Sequence, residues 1–361
     1  MRWKDLIIVG VITISYILLL FIFRRNIFTF RFDRSLLKRY FVSQDIQHEV
    51  RGRLFLSDAD VYLSTGYLYA MGSDPTEGNF EHPPFIKYLF GYSTRLFNNP
   101  YVVQIIFGIL ALFLLYLLGL KIYKNRLTSS FACLLLLIDP LFLDASSQTI
   151  LDLGQMVFLL LYTYSILFHR KNFIFQGVAL GLLSGSKFWA APVFFVLIIN
   201  AYLIYKKQFN IKQFIQALFI ACITFSLLYL RTFIVRKGQF NIVFFQLKIF
   251  KYWLNHSVAS MFGSSILLFT TGFFKSWWGN RDFMIGNIWF ILWPVSLIIS
   301  SFQGFKDFIM RKITITTVFA VTPFLYLIFL GVQAPFPRYF LIILPFLYLT
   351  LAYWYRRFLL K

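Results

Sequence analysis

Acidic side chains gather early in this chain, at Asp58, Asp60, Asp74, Glu77 and Glu81, and the last of them leads through His82-Pro83-Pro84 into Phe85-Ile86-Lys87-Tyr88. The chain of 361 residues has only 14 acidic residues, so solubility is a poor explanation for that concentration. Carboxylates set in a loop can take a proton from an attacking hydroxyl. A second acidic set follows in Ile138-Asp139-Pro140-Leu141-Phe142-Leu143-Asp144 and Thr149-Ile150-Leu151-Asp152, between apolar runs. A carboxylate next to hydrocarbon costs about 3 kcal/mol, which makes each a candidate for function. Asp139 and Asp152 also have a plainer use, capping helix ends beside Ser146, Ser147 and Thr149.

The elements that must position these residues are built for lipid. Hydrophobic residues make up 59% of the chain and charged residues 14%, and the apolar ones run in stretches near the length of a bilayer span. Continuous rather than alternating runs argue for helices and against a β-barrel. The expected fold class is therefore all-α, a polytopic transmembrane helix bundle of about ten spans. The spans are expected at 5–23, 101–122, 128–144, 149–168, 173–186, 188–205, 213–232, 284–302, 314–332 and 339–355. Gly185-Ser186-Lys187 interrupts the long apolar stretch from 173 to 205 and divides it in two.

Net charge is +21, but the cations lie between hydrophobic runs rather than on a soluble domain. That pattern implies lipid phosphates as partners and no nucleic acid. Placing both termini in the cytoplasm puts Arg2, Lys4, Lys121, Lys124, Arg126, Arg170, Lys171, Lys206, Lys207, Lys306, Arg311, Lys312, Arg356 and Arg357 on one side, as the positive-inside rule requires. The first run is read as a retained signal anchor. Two long segments, 24–100 and 233–283, then become exoplasmic loops containing short helices. The chain divides accordingly into a module over 1–232 with a catalytic first loop at 24–100, a second loop at 233–283, and C-terminal helices over 284–361. Cys133 and Cys222 fall inside apolar runs, so neither a disulfide framework nor a zinc motif is expected.

The order Asp58-x-x-x-Tyr62, Gly72, Glu81-His82-Pro83-Pro84-x-x-Lys87-Tyr88 resembles the first lumenal or periplasmic loop of glycosyltransferases of the GT-C fold. The resemblance is to protein O-mannosyltransferases and the aminoarabinose transferases of lipid A. Further similar elements follow in order: Asp139-Pro140 with Ile150-Leu151-Asp152, Gly177-x-x-x-Gly181-x-x-x-Gly185-Ser186-Lys187-Phe188-Trp189, and Pro337-Arg338-Tyr339 with Pro345. The resemblance implies transfer of a sugar, mannose being one such sugar, from a polyprenyl-phosphate donor to an acceptor hydroxyl on the exoplasmic face, with inversion. It implies an integral protein of the plasma membrane, or of the endoplasmic reticulum in a eukaryote. The acceptor would be a protein, lipid or glycan, and a membrane partner subunit is compatible with it.

In such enzymes an acid at the start of the first loop is the general base. Asp58 matches by its spacing to Tyr62, but Ala59 stands where a Glu is common and Asp60 comes one place later, so both Asp58 and Asp60 are candidates. Lys187 and Arg338 are candidates to meet the charge that grows on the leaving phosphate, and His256 in the second loop is a further donor-phosphate candidate. Lys187 could equally be a snorkelling cation. Glu81, His82, Asp144 and Asp152 carry groups that could hold a divalent metal ion, although their spacing matches no metal motif. Gln246, Tyr252 and Trp277-Trp278 in the second loop could stack on a sugar or anchor the loop at the interface. Two other readings stay open: a transporter or flippase, whose pathways also use intramembrane acids and broken helices, and an inactive scaffold that keeps the fold.

Overall fold

A computed structural model describes residues 2–44, 55–256, 261–276, 282–331 and 333–359. The chain enters the bundle with α1 (Trp3–Phe23), apolar all round. Its Ile12, Tyr16 and Leu20 are buried while Leu6, Val11, Ile14, Leu18 and Ile22 stay exposed, the pattern of a peripheral helix facing lipid. The first loop then folds into α2 (Asn26–Thr29), α3 (Ser35–Gln44), α4 (Asp58–Ala70) and α5 (Phe85–Phe97). The bundle resumes with α6 (Tyr101–Tyr123), α7 (Arg126–Leu137), α8 (Pro140–Ala145), α9 (Asp152–Phe168), α10 (Phe173–Ser186), α11 (Ala190–Tyr205) and α12 (Ile211–Leu227). The second loop supplies α13 (Leu230–Val235), α14 (Ile242–His256), α15 (Ser264–Thr271) and an antiparallel pair, β1 (Phe273–Lys275) with β2 (Phe283–Ile285). α16 (Leu292–Ile309), α17 (Ile315–Phe329), a 3₁₀ turn over Pro337–Ile343 and α18 (Leu344–Leu359) complete an all-α architecture.

Among the described residues, Trp3–Phe23, Tyr101–Tyr123 and Pro337–Arg357 are helical segments long and apolar enough to cross a membrane, and shorter apolar helices accompany them. Every expected span coincides with helix, but three have different ends. The stretch 128–144 breaks at Asp139-Pro140 into α7 and α8, because Pro140 removes a donor and Asp139 caps the new start. The stretch 213–232 breaks between α12 and α13. The stretch 284–302 starts later, since Phe283–Ile285 is spent on strand pairing.

Local signals explain several helix starts. Asn125, Asn172, Asn210 and Thr314 each accept a hydrogen bond from the backbone N–H three residues on, which satisfies an otherwise orphaned donor. The break between α10 and α11 is real: Lys187 is fully extended, at φ −154° and ψ −176°. The Gly177, Gly181, Gly185 row faces α12, where side chains at these positions would run into the Ala217 carbonyl, Thr224 and Leu228. This is the small-residue packing that brings membrane helices close together.

A tighter approach joins α4 to α5. A Cβ on Gly66 would collide with the Lys87 carbonyl, and one on Gly91 with the Gly66 carbonyl. The two backbones touch there, which fixes the angle at which Asp58 and the Glu81–Pro84 segment face the bundle. Gly66→Val should therefore lower the thermal stability of the purified protein in detergent by about 1–3 kcal/mol, the usual range for overpacking. Valine at the half-buried Gly10, where a Cβ would meet nothing within 4 Å, should leave the unfolding midpoint nearly unchanged.

Candidate active site

The first loop is tied to the rest of the protein before it carries any chemistry. Ser57 caps α4, accepting from the Asp60 backbone N–H at 3.2 Å and donating to the Asp60 carboxylate at 2.9 Å. Thr149 donates to the Ala59 carbonyl at 2.8 Å, so the turn between α8 and α9 holds the start of α4. Gln104 of α6 donates to the Ile150 carbonyl at 2.9 Å and fixes that turn in its own place. Further along, Asp74 accepts from Arg236 and Thr232 at 2.8 Å each and from the Thr76 backbone N–H at 2.9 Å. Burial alone would raise the Asp74 pKa, but the hydrogen bonds from Thr76, Arg236 and Thr232 outweigh it and hold the value below the ordinary one.

The Glu81-His82-Pro83-Pro84 element is shaped from inside by Lys87. This lysine is wholly buried, and its ammonium donates to the Asn79 carbonyl at 2.7 Å, the His82 carbonyl at 2.9 Å and Asn79 Oδ1 at 3.1 Å. Burial pulls its pKa down to about 7. Trp253 of α14 donates to the Glu81 carbonyl at 3.2 Å, so the second loop closes over the first.

Four charged residues meet beside this element. Arg338 pairs with Asp58 at 2.6 Å, and Lys187 forms an ion pair with Asp152. Tyr339 links the two pairs: the Lys187 ammonium lies 4.6 Å from its ring centroid and the Arg338 guanidinium 5.7 Å from it. Asp152 is the first residue of α9 and buried, whereas the Asp58 side chain is 48% exposed. Arg338 keeps its buried Nε without a partner. Lys187, Tyr339, His82, Gln155 and Trp253 line a cavity of about 310 Å³. Next to it, sharing Phe250, runs an apolar groove of about 780 Å³ walled by Trp189, Val196, Leu218, Ile242 and Leu247.

The structure thus brings together Asp58, Asp152, Lys187 and Arg338, with His82 at the cavity wall. Asp60 lies outside the group, engaged in the α4 cap. Asp144 is held by Arg24 at 3.5 Å and Gln148 at 2.6 Å, and the Glu81 carboxylate by Asn79. Asp139 serves as a buried cap that also accepts from Trp293 at 2.8 Å and from Tyr348, so its role is structural. His256 ends α14, and its side chain, like Trp277-Trp278, lies outside the described residues. The donor set put forward for a divalent metal does not fit one: among the described residues no three His, Cys, Asp or Glu side chains converge, and Asp152, Asp144 and Glu81 are engaged by Lys187, Arg24 and Asn79 respectively. Gln155 and Trp253 are site residues that sequence reasoning passed over, and Tyr339 entered it only within Pro337-Arg338-Tyr339. An amide inside an apolar helix was the available signal for Gln155.

With this geometry in view, known proteins offer two comparisons. The family described as dolichyl-phosphate-mannose-protein mannosyltransferase matches residues 81–231. Two crystal structures of ArnT from Cupriavidus metallidurans, one bound to undecaprenyl phosphate and one in the apo state, superpose with TM-scores of 0.57 and 0.56 at 15% identity. Each superposition covers 88% of this chain, which spans 58% and 57% of the respective ArnT chains. No curated protein matches the chain by sequence. The fold is that of the GT-C glycosyltransferases, and the chain is an integral membrane protein.

His82 gives a pH test of the site. Burial first, then the charges of Lys187, Lys87 and Arg338, push its pKa well below the ordinary value. As pH falls below about 6.5, the unfolded chain takes up a proton that the native site refuses, so stability declines with acidification. The melting midpoint in detergent should therefore drop more steeply between pH 7.5 and 5 for the wild type than for His82→Asn.

Proposed function

We propose that this protein transfers a sugar from a polyprenyl-phosphate carrier to an acceptor hydroxyl at the membrane surface, with inversion at the anomeric carbon and Asp58 as general base. The observation that carries this reading is the paired cluster Asp58–Arg338 and Lys187–Asp152, whose Lys187 lines a cavity that adjoins an apolar groove at Phe250. A carrier has the same two halves, a charged sugar phosphate and a long hydrocarbon tail. The match to the mannosyltransferase family and the likeness in fold to ArnT solved with undecaprenyl phosphate support a lipid-linked donor.

In this mechanism the acceptor oxygen attacks the anomeric carbon while Asp58 removes its proton. The bond from that carbon to the phosphate oxygen breaks, and the departing phosphate is met by Lys187 and Arg338, preplaced where its charge grows. Arg338 has two duties. In the free protein it pairs with Asp58, and its buried Nε has no partner. A donor phosphate that draws Arg338 toward itself releases the Asp58 carboxylate to meet the acceptor hydroxyl. Asp152 stays paired with Lys187 and keeps that cation in position. The proposed site opens to the exoplasmic side, with both termini in the cytoplasm.

Purified protein incubated with native membranes and radiolabelled polyprenyl-phosphate sugars provides the test. Asp58→Asn should cut transfer by about 10²–10⁴-fold while the protein still inserts and melts normally, and Asp60→Asn should stay close to the wild type. Arg338→Gln should raise the KM for donor by about 10–100-fold, the scale of a lost hydrogen bond to a charged group. Transfer by Asp58→Asn at the wild-type rate would sink the assignment of the base.

A further inference from the structure

A separate cavity, of about 880 Å³, opens among α1, α6, α7 and α9, and four of its lining residues are the cations Arg2, Lys121, Lys124 and Arg126. Its one acid, Asp5, has both carboxylate oxygens engaged. Oδ1 accepts from Arg126 Nε at 2.6 Å and from Tyr116 at 3.2 Å, and Oδ2 from the Arg2 backbone N–H at 2.8 Å. Arg126 is thereby matched, whereas the side chains of Arg2, Lys121 and Lys124 form no ion pair with any described residue. The surroundings add cation rather than acid. Arg356 of α18 donates to the Tyr123 carbonyl at 3.3 Å, at the same end of α6. Asp307, the other acid at this end of the bundle among the described residues, accepts from Gln303 and Thr317 at 2.7 Å each. The carbonyl end of α6 offsets about half a charge, less than one lysine. The cavity therefore attracts an anion.

The place of the cavity says which anion. Gln104, near the start of α6, holds the Ile150 carbonyl close to Asp152, and Lys121 lies 17 residues further along the same helix. At 1.5 Å per residue that separation is about 26 Å, close to the roughly 30 Å hydrocarbon core of a bilayer. The cavity thus sits at the membrane boundary opposite the Asp58–Arg338 cluster. Its lining is apolar as well as basic: Leu117 and Leu120 belong to it, and so does Leu127, which is 59% exposed. Trp3, next to Arg2 and 74% exposed, has the position of an interfacial anchor. A soluble anion gains nothing from these side chains. A phospholipid meets both sets, its phosphate among the cations and its acyl chains along the leucines.

We infer that this cavity binds the phosphate headgroup of an anionic phospholipid, in the leaflet opposite the charged cluster, through Arg2, Lys121 and Lys124. Asp5 is a positioning residue: by holding Arg126 it joins α1 to the start of α7 and keeps the cavity walls together. The site shares no residue with those assigned to sugar transfer, so it stands or falls independently of that reading.

Native mass spectrometry of the full-length protein in neutral detergent tests the site with three probes: dioleoylphosphatidylglycerol, dioleoylphosphatidylcholine and glycerol phosphate. The wild type should bind the anionic lipid about tenfold tighter than the zwitterionic one, the scale of one charged hydrogen bond. Glycerol phosphate at the same concentration as the lipid should not displace it. Lys124 closes α6 in the left-handed region at φ 50°, which glycine adopts without strain. Lys124→Gly should therefore remove most of the preference without lowering the melting midpoint of the lipid-free protein, so that the loss cannot be ascribed to unfolding. Lys121→Gln should weaken the preference in the same direction. Lys207, at the same end of the bundle but outside the cavity, is also left-handed, at φ 54°, and Lys207→Gly should keep the full preference. Equal affinity for the two lipids would overturn the site. So would an equal loss in Lys207→Gly and Lys124→Gly, because charge spread over the whole face would then account for binding. Displacement of the lipid by glycerol phosphate would overturn the lipid assignment in favour of a soluble phosphate.

Discussion

Charges that leave water must be neutralised where they stand, and this protein meets that demand with two ion pairs whose members come from four separate parts of the chain. Asp58 opens α4, Arg338 begins the 3₁₀ turn before α18, Asp152 opens α9, and Lys187 sits at the break between α10 and α11. Desolvating either member of the buried Lys187–Asp152 pair alone would cost several kcal/mol, so Asp152 requires its cation, while in the other pair the arginine is the more buried member, and the helix ends that carry them must converge. That requirement accounts for the extended conformation at Lys187. If the α10 helix continued through it, the ammonium would turn away from Asp152.

Convergence at the charged cluster depends in turn on close backbone contacts further away. Gly66 against Gly91, and the glycine row of α10 against α12, let helices approach to distances that any side chain would prevent. Around them, polar tethers hold the loops: Thr149 to Ala59, Asp74 to Arg236, Trp253 to Glu81 and Lys87 to the carbonyls of Asn79 and His82. A buried lysine spent on carbonyls is an expensive way to hold a loop, and its expense is reasonable only if the shape of that loop matters. The loop concerned brings His82 to the cavity.

How much of this could be read beforehand depended on whether the signal was local. Helix positions followed from apolar runs, and the division at Gly185-Ser186-Lys187 was visible as three consecutive residues ill suited to an apolar helix. Asp58 and Arg338 could be named one by one from a resemblance, but their pairing could not, since 280 positions of sequence carry no distance information and the contact is made by tertiary packing. The metal-ligand set fell apart for the same reason. Glu81, His82, Asp144 and Asp152 are similar in chemistry, yet each carboxylate among them finds a different non-metal partner. The later break at Asp139-Pro140 was written in the sequence as a cap followed by a proline, a strong helix-start signal that the length of the apolar run concealed.

Arg338 links the electrostatics to the order of events. An arginine that held Asp58 permanently would keep its carboxylate engaged and away from the acceptor hydroxyl proposed for it. An arginine devoted to phosphate alone would leave Asp58 without a partner in the free protein. Sharing one guanidinium resolves the conflict, because a planar group with several N–H donors can exchange one anion for another with little movement. The ring centroids of Phe336, at 4.7 Å from the guanidinium carbon, and of Tyr339, at 5.7 Å, support the side chain while it reaches Asp58. In the proposed mechanism the arrangement frees the Asp58 carboxylate only after a donor has arrived and so couples donor binding to the acceptor through a single side chain.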